Sequence, residues 1–129
     1  MNVSLDRFSA EPTSNILDGS DATRWLINRA VVDPPAVELF LDQRKVLSRL
    51  KITPLKSVGF SSIASLVLIE FDDSSATYLQ FDCTSDTQPF YLGKLTARFK
   101  LTILKTCDDI LFDNTGFTEV VAYEGGIND

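Results

Sequence analysis

The stretch Lys94–Lys105, KLTARFKLTILK, constrains this chain more than any other. Leu95, Ala97, Phe99, Leu101 and Ile103 fall on one side, and Lys94, Thr96, Arg98, Lys100 and Thr102 on the other; only Leu104 breaks the alternation. Successive side chains of a strand point to opposite faces, so the pattern is that of a β-strand with one face in a core and one in water. At roughly 3.3 Å per residue it predicts a span of about 40 Å, longer than most strands. Such a strand belongs in an antiparallel sheet covered from one side.

Much of the remaining chain reads the same way. Ile63–Phe71 is nearly all apolar, which predicts a central strand buried on both faces. Asp72-Asp73-Ser74-Ser75 is a turn. Ala76–Cys83 alternates again, with Leu79 and Phe81 inward and Tyr78, Gln80 and Asp82 outward. Gly93 marks a bulge or bend at the entrance to the long strand. Ile110–Tyr123 reads as a last hairpin turning at Asp113–Gly116.

Two segments are ambiguous. Asp21–Val32 leans towards a short helix capped by Ser20 or Asp21 or mixed structure, a strand with Trp25, Ile27 and Val31 on one face being the alternative, and Trp25 reads as a core residue. Residues 34–53 suit either a hairpin turning at Asp42-Gln43-Arg44 or one helix opened by Pro34, and Pro54 ends both. The expected fold is mainly β. It is a single-domain antiparallel β-sandwich or small β-barrel with an extended N-terminal arm and at most one short helix. Residues 1–20 form the arm, 21–123 the β-rich domain and 124–129 a C-terminal tail.

Composition then removes function classes. The 129 residues are 44% hydrophobic with nine Phe, enough for a core of one domain. The longest apolar run, Leu66–Ile69, is far too short for a membrane-spanning helix, and MNVSLDRFSAEP lacks the apolar stretch of a secretory signal. The chain contains no histidine. That excludes Ser-His-Asp and Cys-His catalysis and His-ligated metal sites within it. Cys83 and Cys107 form no metal or redox motif; they are expected as two half-buried thiols in a reducing compartment, a single disulfide being the alternative.

Net charge is −6, unevenly spread. Residues 1–56 carry 8 basic against 7 acidic side chains, and residues 57–129 carry 4 against 11. The acidic half disfavours nucleic acid. The basic run Arg44, Lys45, Arg49, Lys51 and Lys56 is the most electropositive feature, but no aromatic residue interleaves it between Phe40 and Phe60. It reads as a solvated face, or as a docking surface for an acidic partner. Turn aspartates Asp72, Asp73, Asp108 and Asp109 would share one end of an up-and-down sheet and could hold Ca²⁺, although Asp also favours turns for its own reasons.

No catalytic, cofactor-binding or metal-ligating set is assigned, and no cofactor. The expectation is a non-enzymatic assembly protein that forms homo-oligomers or decorates a larger particle, such as a phage or virus virion. Its partners would be copies of itself or other subunits, not nucleic acid or membrane, and its location the cytoplasm of the producing cell or a virion. The alternative is a small β-barrel or sandwich binding an apolar ligand or peptide among its Phe side chains. Lys94, Arg98 and Lys100 are the candidate interface, either as a ridge for a neighbour's acidic edge or paired across strands with this chain's own carboxylates.

Overall fold

The computed structural model describes residues 2–3, 16–17, 25–28, 34–55, 63–84, 86–107 and 114–124. They form seven strands: β1 (Asn2–Val3), β2 (Trp25–Asn28), β3 (Ala36–Pro54), β4 (Ala64–Phe71), β5 (Ala76–Gln80), β6 (Gln88–Thr106) and β7 (Asn114–Glu124). Every pairing is antiparallel. The order is β2-β7-β3-β6-β4-β5, with β1 on β3.

Two nineteen-residue strands, β3 and β6, organise this order. Residues 36–40 of β3 pair with 98–102 of β6, whose outer neighbour is β4. Residues 45–52 of β3 pair with 88–96 of β6, and their other neighbour is β7. The hydrogen-bonded sheet thus divides into two layers that share both long strands. One layer holds β4 and β5, the other β7 and β2. Strands that bend from one sheet into another are a known way to turn the corner of a sandwich.

Aromatic side chains close the gap between the layers. Phe81, just after β5, packs on Phe90 at 4.8 Å and on Phe117 of β7 at 6.3 Å between ring centroids. Trp25 meets Phe117 at 5.7 Å and is fully buried. Around them lie Val37, Leu39, Leu50, Ile52, Val67, Ile69, Phe99, Leu101 and Ile103 in one cluster. Full burial of each such side chain is worth about 1.5–3 kcal/mol. The antiparallel sandwich expected from the periodicity is the fold found. Among the described residues, Phe81, Phe90 and Phe117 pack on one another within its interior.

The corner is made by irregularities. Between Phe40 and Lys45 the β3 strand carries residues that β6 does not match, and Asp42, Gln43 and Arg44 are exposed there. Residues 34–53 are therefore neither a hairpin nor a helix. From Ala36 onward they belong to one strand, and the polar triplet that resembled a turn lies at an irregularity within it. A second shift falls between Leu47 and Arg49, opposite Gly93, whose φ of +61° is the left-handed conformation that glycine adopts without strain.

These irregularities also break the alternation of β6. Phe99, Leu101 and Ile103 face inward as expected, but Leu95 is 49% exposed and Thr96 is fully buried. The Thr96 hydroxyl donates to the Arg98 carbonyl at 2.6 Å, beside the register shift. The expected burial of Leu95 is thus overturned by the corner.

Three further expectations change. Residues 25–28 are a strand, not part of a helix. β2 lies so close to β7 that a Cβ on Gly116 would stand 2.0 Å from the Trp25 carbonyl oxygen. Only glycine permits that approach, so Asn114-Thr115-Gly116 is strand rather than turn, while Ile110–Asp113 lie outside the described residues. β4 alternates between buried Val67 and Ile69 and half-buried Leu66 and Leu68, because only one of its faces meets the core. Finally, Cys83 and Cys107 form a disulfide, with Cα atoms 5.9 Å apart, in place of the expected thiols. The sheet supplies the reason: the Phe81 and Cys107 amides donate to the Ser65 and Ile63 carbonyls, which brings both cysteines to the same end of β4.

Candidate functional site

The β4–β5 turn builds the first candidate site. Ser74 takes φ +71°, its amide donates to the Phe71 carbonyl at 3.1 Å, and the Phe71 amide donates to Ser75 at 2.9 Å. Asp72 is fixed by the β6 backbone: its Oδ2 accepts from the Ala97 amide at 2.8 Å. Its Oδ1 is buried, accepts no hydrogen bond from the described residues and lies 3.8 Å from Arg44. Asp73 accepts from Lys94 at 2.5 Å and from the Ser75 amide at 2.9 Å. The Lys94 ammonium first, then Ser75, holds the Asp73 carboxyl far below the usual carboxylate range.

Beside this turn lies a hollow of about 240 Å³ whose wall includes Glu38, Glu70, Phe71, Asp72, Arg98 and Lys100. The residues come from three adjacent strands in register. Glu38 on β3 and Glu70 on β4 are both Cα partners of Lys100 on β6. Arg98 reaches Glu38 at 3.9 Å. Three carboxylates and two cations thus surround a space below the range of about 300–1,000 Å³ typical of drug-sized ligands. A small polyhydroxylated molecule suits it, because each hydroxyl both donates and accepts, and hydrogen bonds to charged groups are the stronger kind.

The predicted ridge is thereby placed. Arg98 and Lys100 share the hollow, whereas Lys94 stands at the corner, bound to Asp73 and 5.6 Å from the Phe71 ring centroid. Lys94 and Arg98 meet this chain's own carboxylates across strands. Only half of the expected four-aspartate end falls within the described residues. Thr106 pairs with Ala64 and Phe99 with Phe71, so Asp72 and Asp73 lie at the opposite end of β4 from Cys107; Asp108 and Asp109 themselves are outside the described residues. Among the described residues no group of three or more His, Cys, Asp or Glu side chains could hold a metal ion.

A second candidate surface lies on the outer face of the other layer. Arg49 on β3 has Tyr91 of β6 and Tyr123 of β7 as its Cα partners, one on each side. The Arg49 guanidinium lies 4.2 Å from the Tyr123 ring centroid, and Lys51 Nζ lies 5.4 Å from it. Tyr91 is 76% exposed. The sequence shows Arg49 and Lys51 but not their aromatic neighbours, which sit on other strands. The outward positions of Tyr91 and Tyr123 in their own alternating strands were the available signal.

No protein-family model and no curated protein sequence matches this chain. Solved structures do match in fold. The family 32 carbohydrate-binding module of C. perfringens NanJ, in complex with galactose, is 18% identical with a TM-score of 0.72, covering 95% of this chain and 93% of its own. The family 32 module of AlyQ, in complex with 4,5-unsaturated mannuronic acid, is 17% identical with a TM-score of 0.71, covering 97% and 95%. An F5/8 type C domain from Bacteroides fragilis is 19% identical with a TM-score of 0.74, covering 98% and 92%. At these identities the likeness establishes the fold, a sandwich of the F5/8 type C and family 32 kind.

This overturns the expected virion or particle component. The three structures just described are two carbohydrate-binding modules and an F5/8 type C domain, not capsid decoration or phage tail proteins. The same fold recurs inside larger proteins that include enzymes. It matches 14% of a family 89 glycoside hydrolase from Clostridium perfringens and 32% of a truncated AlyQ that also contains alginate lyase domains.

Proposed function

We propose that this chain is a non-catalytic carbohydrate-binding module that holds a single sugar ring in the hollow beside the β4–β5 turn. The observation that carries the reading is the fold: it matches sugar-binding modules over nearly the full length of both chains. The hollow adds the chemistry. Glu38, Glu70 and Asp72 would accept from hydroxyl groups, Arg98 and Lys100 would donate to ring or hydroxyl oxygens, and Phe71 offers an apolar edge to the C–H face. Their cross-strand partners hold these side chains in place before a ligand arrives, which lowers the entropy cost of binding. The Cys83–Cys107 bridge supports a setting oxidising enough to keep it closed.

Titration calorimetry against a panel of mono- and disaccharides tests the proposal. At least one neutral sugar should bind and none should be cleaved. Glu38→Gln and Arg98→Ala should each weaken binding about tenfold, the worth of one hydrogen bond to a charged group. If no saccharide binds the folded protein, or if these substitutions leave affinity unchanged, the assignment fails.

A further inference from the structure

The outer face of β6, β3 and β7 combines features that the hollow does not use. Arg49 and Lys51 both project from β3 on this face, two residues apart and therefore on the same side. Among the described residues neither meets a carboxylate; both are drawn instead to the Tyr123 ring. The Arg49 Nε is buried and finds no hydrogen-bond partner. The face also carries Glu119, the Cα partner of Thr53, while Glu124 at the end of β7 is held by Lys45 Nζ at 2.8 Å, a contact that raises the lysine's pKa. Stacking on Tyr123 fixes the guanidinium plane, so its donors are oriented in advance for a carboxylate or sulfate. On the other side of Arg49 stands Tyr91, with most of its surface in water.

From this we infer that the Tyr91–Arg49–Lys51 face is a second glycan-binding surface, specific for an acidic polysaccharide. A sugar ring lies on Tyr91 while its carboxylate, or that of the next residue in the polymer, is taken by Arg49 and Lys51. The charge of the cations argues for an anionic ligand. The strand-built face argues for an extended polymer, since two strand spacings across β3 put Tyr91 and Tyr123 on the order of 10 Å apart. The inference rests on the sugar-binding reading above, but it concerns the opposite layer of the sandwich and different residues.

Affinity electrophoresis and calorimetry with oligogalacturonate, a neutral galactan oligomer and a single-stranded oligodeoxynucleotide test it on the whole chain. Oligogalacturonate should bind. Tyr91→Ala and Arg49→Gln should each weaken it about tenfold. Arg49→Lys should recover only part of the loss, because an ammonium keeps the charge but not the stacked fork. The same variants should leave neutral-sugar binding in the hollow unchanged. Tyr91 is so exposed that its truncation does not threaten the fold, and circular dichroism of Arg49→Gln checks the other variant. Oligogalacturonate binding that is indifferent to Tyr91→Ala and Arg49→Gln overturns the inference while neutral-sugar binding keeps the proposed function. Loss of all saccharide binding in the unmodified protein overturns both. Tight, Arg49-dependent binding of the oligodeoxynucleotide without oligogalacturonate binding assigns the face to nucleic acid instead, and the inference fails.

Discussion

The two layers of the sandwich present contrasting outer faces. Beside the β4–β5 turn, charges lie among opposite charges: Lys94 on Asp73, Arg98 on Glu38, and Lys100 between Glu38 and Glu70. Outside β7, β3 and β6, the cations Arg49 and Lys51 lie against a tyrosine ring. The same long strands supply both faces. What differs beside the paired cations is the neighbour: β4 and its turn bring Glu70, Asp72 and Asp73, and β7 brings Tyr123 against Arg49 and Lys51. The first face sets carboxylates and cations side by side, while the second holds two cations that meet no carboxylate among the described residues.

The strongest way to break this contrast is to remove what both faces rest on. Phe117→Ala should cost about 3–5 kcal/mol, because the ring joins Trp25 to Phe81 across the core. Thermal unfolding should show one transition at a markedly lower temperature. Two separate transitions would mean that the layers are independent bodies.

A smaller effect should separate the layers. The disulfide closes the chain across a separation of 24 residues at the end of β4, within the layer that carries the hollow. Replacing Cys83 and Cys107 with serine should destabilise the protein by about 2–4 kcal/mol. Urea titration of the variant beside the oxidised parent measures this, and coincident midpoints would show that the bridge contributes nothing.

The smallest effect concerns pH. Asp73 has its pKa lowered by Lys94 and Ser75 in the folded protein, so its contribution is present above the unfolded value of about 4 and is lost as pH falls below it. Asp73→Asn should flatten the acid limb of the stability curve and leave the alkaline limb in place. Because Asp73 is exposed, the change should be modest, and chemical denaturation at pH 3 and pH 7 is the comparison to make. An equal loss at both pH values would place the Asp73 contribution outside its ionisation.

How legible all this was in the sequence depends on where each signal is written. β6 announces itself because its alternation is a property of its own residues. β3 does not, because Asp42-Gln43-Arg44 has the composition of a turn, and only the continuation of β6 on the same partner shows that the strand carries on. The strand identity of Trp25–Asn28 likewise depends on Gly116, far away in the chain. The candidate surfaces follow the same rule. Arg98 and Lys100 were visible as a ridge, but Glu38 and Glu70 come from other strands. Arg49 was visible within a basic run judged to lack aromatics, and its aromatics stand beside it in space rather than in sequence. Tertiary pairing decides such features, and no reading along the chain contains it.

The sharing of β3 and β6 between the layers also governs how the molecule comes together in time. These central partners are separated in the chain by the whole of β4 and β5, so the β4–β5 hairpin can close locally while the central pair must wait for a long loop to find its ends. Topologies dominated by such non-local pairings fold in roughly milliseconds to seconds. Pulse-labelling hydrogen exchange during refolding should therefore protect the Ile69 and Thr77 amides of the hairpin before those of Val37 and Leu50. Until β3 arrives, β6 has an open edge, and that interval is when this chain is most exposed to pairing with the wrong strand.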